Sequence, residues 1–186
     1  MLSAVVPLKS IDLAKGRLSG VLDAARRRAL ARQMADHVLQ TLRDAGISLV
    51  RVANGDHDLN ADVTEAARLA ERDGATDLLV VMADLPYLTK DDIAALTDAG
   101  GMSAVVIAEA KDGGTNALLL RPPTVLQFAF SRERPSAQIH AEHARRAGIE
   151  PVILRRPGLA QDIDTPADLA ALAGDHPAYQ VFRHVA

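Results

Sequence analysis

Leu78-Leu79-Val80-Val81-Met82-Ala83-Asp84-Leu85-Pro86 decides the architecture of this chain. Residues 78–83 are apolar without interruption, and a carboxylate and a proline follow at once. A strand that is apolar on both faces suits the centre of a parallel sheet, where helices cover both sides. The run is far short of the roughly 20 residues a membrane helix needs. The spacing predicts a buried strand over 78–82, with Asp84 just past its carboxyl end.

Outward from this strand, short apolar runs alternate with longer helical patterns. Upstream, residues 2–6 read as a first strand, followed by a polar loop over 8–19. Ala29, Leu30, Met34, His37, Val38 and Leu42 share one face and predict a helix over 23–44, stopped by Gly46. A second strand is expected over 47–52 and a turn at Asn54-Gly55, then a helix capped by Asn60 or Asp62 and ending near Gly74. Downstream, Thr89 precedes a helix over 90–98, with Asp92 at the capping-box position. Strands over 104–108 and 116–120 flank Asp112-Gly113-Gly114. A helix over 136–147, a strand over 152–154 and a last helix opened by Thr165-Pro166 complete the chain. This alternation predicts one α/β domain over 1–186 with a mostly parallel sheet. Such sheets bind ligands at the carboxyl ends of their strands. Residues 175–186 form a tail whose Tyr179 and Phe182 are expected to dock onto the core or a partner.

Composition excludes several classes of function. The 186 residues, 48% hydrophobic and 24% charged, have the make-up of one globular domain. Without cysteine there is no disulfide framework, thiolate nucleophile or thiolate zinc site. Aromatics at 3% and a net charge of −3 argue against a nucleic-acid partner. No membrane association is expected either, and an N-terminus unlike a signal peptide points to a cytoplasmic protein. Only four of the 21 basic residues are lysine, and two of these are Lys9 and Lys15.

Lys9, Lys15 and Arg17 leave the first strand within nine residues. They suit a polyphosphate, although P-loop glycine spacing is absent and a solvated loop is the other reading. Asp84 can hold a cation at a strand end or cap a turn. In Asp162-Ile163-Asp164 the extended geometry puts both carboxylates on one face. Such neighbours repel unless they are solvated or share a cation. Asp164 has the competing role of capping the last helix; Asp162 has none. Asp112-Gly113-Gly114-Thr115-Asn116 offers either an anion cradle or a plain hairpin turn. His140 and His143 lack a third ligand for zinc, His57 reads as a loop residue, and Arg26-Arg27-Arg28 reads as a solvated helix face.

Together these segments resemble the guanylyltransferase family of coenzyme F-420 biosynthesis, which joins GMP to 2-phospholactate, phosphoenolpyruvate or 3-phosphoglycerate. The pieces that match are VPLKSIDLAKGRLS from Val6, DLN at 58–60, MADLPYLT from Met82, DGGTNALLLRPP from Asp112, the helix start with Ser136 and His140, and DIDTPADL from Asp162. They lie in family order along nearly the whole chain. The resemblance implies a Rossmann-like nucleotidyltransferase fold, mostly parallel with one antiparallel excursion. It implies attack by the acid's phosphate on the α-phosphorus of GTP, with release of pyrophosphate. Lys9, Lys15 and Arg17, together with Asp84, would be the catalytic set, and Leu8 and Asn60 would join the three cations in binding the nucleotide. Asp84, Asp162 and Asp164 would hold one or two Mg²⁺ ions. Gly114, Thr115 and Ser136 would bind the acceptor acid. Arg132 and Arg134 stand where the family is glycine-rich: one of them could add a contact to the acid, or both could pair with Glu133 or Glu142 in a solvated loop. Two further departures are Asp58 in place of a family glycine and a short connection, 53–58, where the family has a further helix and strand. Two alternatives stand beside this enzyme: a non-catalytic relative that binds a nucleotide or partner, and a nucleotidyltransferase of molybdenum-cofactor type, which shares MADLP.

Overall fold

Each residue from Leu78 to Val81 is fully buried, because helices cover both faces of the strand that carries them. The computed structural model describes residues 1–8, 15–54, 58–131 and 133–183. The strands are β1 (Leu2–Leu8), β2 (Leu49–Asn54), β3 (Asp77–Val81), β4 (Val105–Glu109), β5 (Thr115–Leu120) and β6 (Val152–Leu154). They form one sheet in the order β2-β1-β3-β5-β4-β6. β2, β1 and β3 run parallel, as do β4 and β6, while β5 is antiparallel to both neighbours. The sheet is therefore mostly parallel, as the alternation of elements predicts, with the one antiparallel strand that the family resemblance implies.

Period-two alternation sorts the strand side chains into two layers. Ala4, Val6, Leu79, Val81 and Leu119 face α1 (Ala24–Asp44) and α3 (Lys90–Ala99), while Val5, Leu78, Val80, Ile107 and Leu118 face α2 (Leu59–Arg72) and α4 (Ser136–Arg146). The short α5 (Pro157–Ala160) and α6 (Pro166–Asp175) follow β6. A third cluster joins Leu30 and Met34 of α1 to Leu169 and Leu172 of α6, and to Tyr179 and Phe182 of a six-residue 3₁₀ helix, Pro177–Phe182. The tail thus docks on the chain's own core.

Several local expectations are corrected. β2 begins at Leu49 rather than residue 47, because Gly46 takes a left-handed φ of 84° and Ile47 turns into the core before the strand starts. Asn54 ends that strand, and the rest of the expected turn, with residues 55–57 and His57, lies outside the described residues. Asp58, not Asn60 or Asp62, caps α2 by accepting from the Asn60 amide. The charge that replaces the family glycine thus sits where a helix dipole favours it. Ala29 is exposed, and Ala31 and Ala35 take its place on the buried face of α1. Thr165 caps α6 through a capping box with Asp168, so Asp164 is free of that role. Arg26 and Arg27 are not simply solvated: they donate to the carbonyls of Val181 (2.7 Å) and Leu22 (2.8 Å). Arg26 thereby ties the tail to α1.

Candidate active site

The antiparallel strand brings the glycine turn to the carboxyl ends of the parallel strands. Asp84 follows β3, Thr115 opens β5 beside it, and Asp162 and Asp164 follow β6 and α5. A cleft of about 340 Å³ opens between them, within the size range of small-molecule sites. Its walls include Arg17, Asp84, Thr115, Ser136, Asp162 and Asp164.

Ile163 is buried in the third apolar cluster, so the extended segment turns Asp162 and Asp164 together toward the cleft. One oxygen from each of Asp84, Asp162 and Asp164 lies within 4.8 Å of the others. Asp168 steadies this segment by accepting from the amides of Asp164 (3.2 Å) and Thr165 (2.8 Å). It is itself paired with Lys111. Asn116 adds a second tether, donating to the Leu159 carbonyl at 2.9 Å. The sequence signal for that role is a polar residue opening the apolar run 117–120, which the reading of 112–116 as a turn or anion cradle does not use.

Lys15 Nζ enters the acidic cluster, 2.6 Å from Asp84 and 3.1 Å from Asp164, and Arg17 reaches Asp164 at 3.3 Å. Lys15 has a left-handed backbone (φ 57°), an uncommon conformation for a residue with a Cβ. Burial opposes the charge of its ammonium, but the two carboxylates outweigh it and raise its pKa. Burial, with Asp84 and Asp164 nearby, pushes the Asp162 carboxyl up to about 6. Three hard oxygen donors with a surplus of negative charge fit a magnesium ion, which takes one or two carboxylates and keeps several waters.

The other end of the cleft is built from hydroxyls. Thr115 and Ser136 are buried with their oxygens 3.1 Å apart, and Thr115 Oγ1 also meets His140 Nδ1 at 3.0 Å. His140 is fully buried, and burial with its neighbour His143 holds its imidazole down to about 4. It holds loop and hydroxyl in place of a metal, a role that its sequence neighbours do not signal. Pro135 gives α4 no side-chain cap; the Ala137 amide donates to the Gly113 carbonyl at 3.2 Å, and the dipole of the helix start still favours an anion.

The remaining expected residues divide. The glycine turn is less of an anion cradle than its composition suggests: the Gly113 amide donates to Ala110 O and the Gly114 amide to Asp112 Oδ1. Gly114 still lines the cleft. Arg134 lines it too, largely exposed and 3.6 Å from Glu142. Leu8 ends β1 at the same edge of the sheet. Asn60, expected near the nucleoside, has its side-chain amide accept from Phe130 N (2.7 Å) and donate to Phe130 O (3.1 Å). It clamps the cleft's loop to α2. Lys9 and Arg132 lie outside the described residues.

Comparison with known proteins adds to this geometry. The family model described as "Guanylyl transferase CofC like" matches residues 45–177. A phosphoenolpyruvate guanylyltransferase of Rubrobacter xylanophilus is 38% identical over 190 residues, covering 91% of this chain and 92% of that one. A 2-phospho-L-lactate guanylyltransferase of Halomicrobium mukohataei is 37% identical over 173 residues, covering 89% and 82%. Among solved structures, one described as a nucleotide-diphospho-sugar transferase from Desulfovibrio desulfuricans G20 superposes with a TM-score of 0.80 at 19% identity, covering 96% of this chain and 90% of that one. CMP:2-keto-3-deoxy-manno-octonic acid synthetase, complexed with CTP, gives 0.57 at 14% identity, covering 92% and 96%. These two carry the fold alone.

Proposed function

We propose, since the chain belongs to the CofC-like guanylyl transferase family, that it joins GMP from GTP to a phosphorylated three-carbon acid in coenzyme F-420 biosynthesis. The acid is phosphoenolpyruvate, 2-phospholactate or 3-phosphoglycerate. The observation that carries this reading is a single cleft with a carboxylate trio at one end and a hydroxyl pair beside an uncapped helix start at the other. A cation site and an anion site in one space suit two anionic substrates that must be brought together.

In the proposed reaction, a phosphate oxygen of the acid bonds to the α-phosphorus of GTP. The bond from that phosphorus to the bridging oxygen breaks, and pyrophosphate leaves. No base is needed, because a phosphate monoester is already ionised at neutral pH. What remains is positioning and charge neutralisation, as in phosphoryl transfer generally. Lys9, Lys15 and Arg17 hold the GTP phosphates. Thr115 and Ser136 hold the acceptor, with Arg134 at the rim. Asp84, Asp162 and Asp164 would hold Mg²⁺, which supplies Lewis-acid neutralisation of the phosphate oxygens when bound.

The test is a screen of GTP, CTP and ATP against the three acids with Mg²⁺, reading pyrophosphate and product mass. A GMP–acid adduct with one of the three is expected. Pyrophosphate release from none of them, or adducts only with CTP or ATP, would overturn the proposal.

A further inference from the structure

We infer that His140 is a positioning residue, whose ring proton on Nδ1 leaves the Thr115/Ser136 pair one hydroxyl proton to present to the anion in the cleft. The identity of that anion as the acceptor acid rests on the function proposed above; the proton placement does not.

The inference follows from counting protons. The Ala129 backbone N–H donates to His140 Nε2 at 2.9 Å, so that nitrogen is an acceptor and carries no proton. A neutral imidazole then has its proton on Nδ1. Burial keeps the ring neutral near pH 7, where a protonated ring would set an N–H against the Ala129 N–H. Phe130 packs edge-on against the ring at 4.9 Å and holds its plane. Nδ1–H therefore donates to Thr115 Oγ1 at 3.0 Å. Thr115 and Ser136 own two hydroxyl protons, and their mutual contact at 3.1 Å uses one. The other is left for the cleft, which both residues line. With the opposite tautomer, Nδ1 would take the Thr115 proton and Thr115 would take that of Ser136. At the hydroxyl pair a phosphate or carboxylate would then meet only lone pairs.

Two measurements test this. Two-bond ¹H–¹⁵N correlation spectra of the wild-type protein at neutral pH should show His140 protonated at Nδ1 and bare at Nε2. The reverse assignment overturns the inference, however any variant behaves. Steady-state kinetics then test its consequence, with phosphoenolpyruvate, or with whichever of the three acids is turned over. His140→Phe should raise the acid's KM about tenfold and leave the GTP KM within about twofold. In a Thr115→Val background the same substitution should add less than about twofold, because the hydroxyl that meets His140 is gone. A merely structural role, loosening the loop at Ala129, would add the same factor in both backgrounds. That result, or an unchanged acid KM, overturns the positioning role while wild-type turnover leaves the proposed function standing. Absence of turnover with all three acids overturns the proposed function instead, and the spectra still decide where the proton lies.

Discussion

Lys15 Nζ bridges Asp84 and Asp164, at 2.6 and 3.1 Å, although 149 residues separate Lys15 from Asp164. The ammonium sits among carboxylates suited to a divalent cation and offsets part of their repulsion. Lys15 is thereby held against the segment before α6.

Lys15→Met should therefore destabilise the protein in EDTA by about 2 kcal/mol, below the full cost of breaking a buried pair because Asp84 and Asp164 retain some solvent. Thermal unfolding followed by circular dichroism reads the effect. Added Mg²⁺ should recover more of the midpoint in the variant than in the wild type. An unchanged midpoint in EDTA would remove Lys15 from the role of counter-charge.

Asp84→Asn should lower turnover at least ~100-fold with the fold intact, the loss of roughly 3 kcal/mol expected for one charged transition-state stabiliser. Asp84 is at a strand end facing a cleft, so the near-isosteric change opens no cavity. Near wild-type turnover at saturating Mg²⁺ would rule out its role as a metal ligand.

Asp162 links the site to pH. Its folded pKa of about 6 lies above its ordinary value of 3.8, so the folded state holds the proton more tightly. That contribution is present in full below about pH 3.8 and is lost as pH rises through about 6. Asp162→Asn, neutral throughout, should thus melt higher than wild type in EDTA at about pH 8, with the gap closing by about pH 4. Turnover should collapse in the same variant. Identical EDTA melting curves at about pH 8 would contradict the assigned crowding.

Arg134→Ala should raise the acceptor KM about threefold at low ionic strength and hardly at all at high salt. The Arg134 side chain is 60% exposed, and an exposed charge is screened. A salt-independent loss above tenfold would mean that the side chain closes onto the acid on binding.

Gly158→Ala should destabilise by about 2 kcal/mol, measured by urea unfolding. A Cβ at 158 would overlap the buried Asp92 carboxylate and lie 2.6 Å from the Tyr87 carbonyl. Asp92 cannot step aside, since it bonds Thr89 N and Oγ1 at 3.0 and 2.7 Å and Arg156 at 2.6 Å. Wild-type stability in the variant would mean that α5 shifts freely, and with it the Asn116–Leu159 tether.

What the sequence alone determined was governed by short-range rules. The apolar run 78–83 specified a central strand, and Thr89 with Asp92 specified a helix start whose capping box is present. The alternation around Ile163 turned Asp162 and Asp164 to one side. Each follows from backbone geometry and burial within a few residues. Only the tertiary structure decided which distant group each polar side chain would meet. Lys15, legible as a phosphate ligand, also lies on the carboxylates because β1 and β3 are neighbours in the sheet. Asn60, expected near the nucleoside, holds Phe130, 70 residues away. His140, which lacks sequence neighbours to complete a zinc site, receives Ala129 N–H on one nitrogen and faces Thr115 with the other. A polar side chain has several possible partners of similar strength, and the one it takes is whichever the packed strands and helices bring within about 3 Å. Local pattern carries no record of that choice.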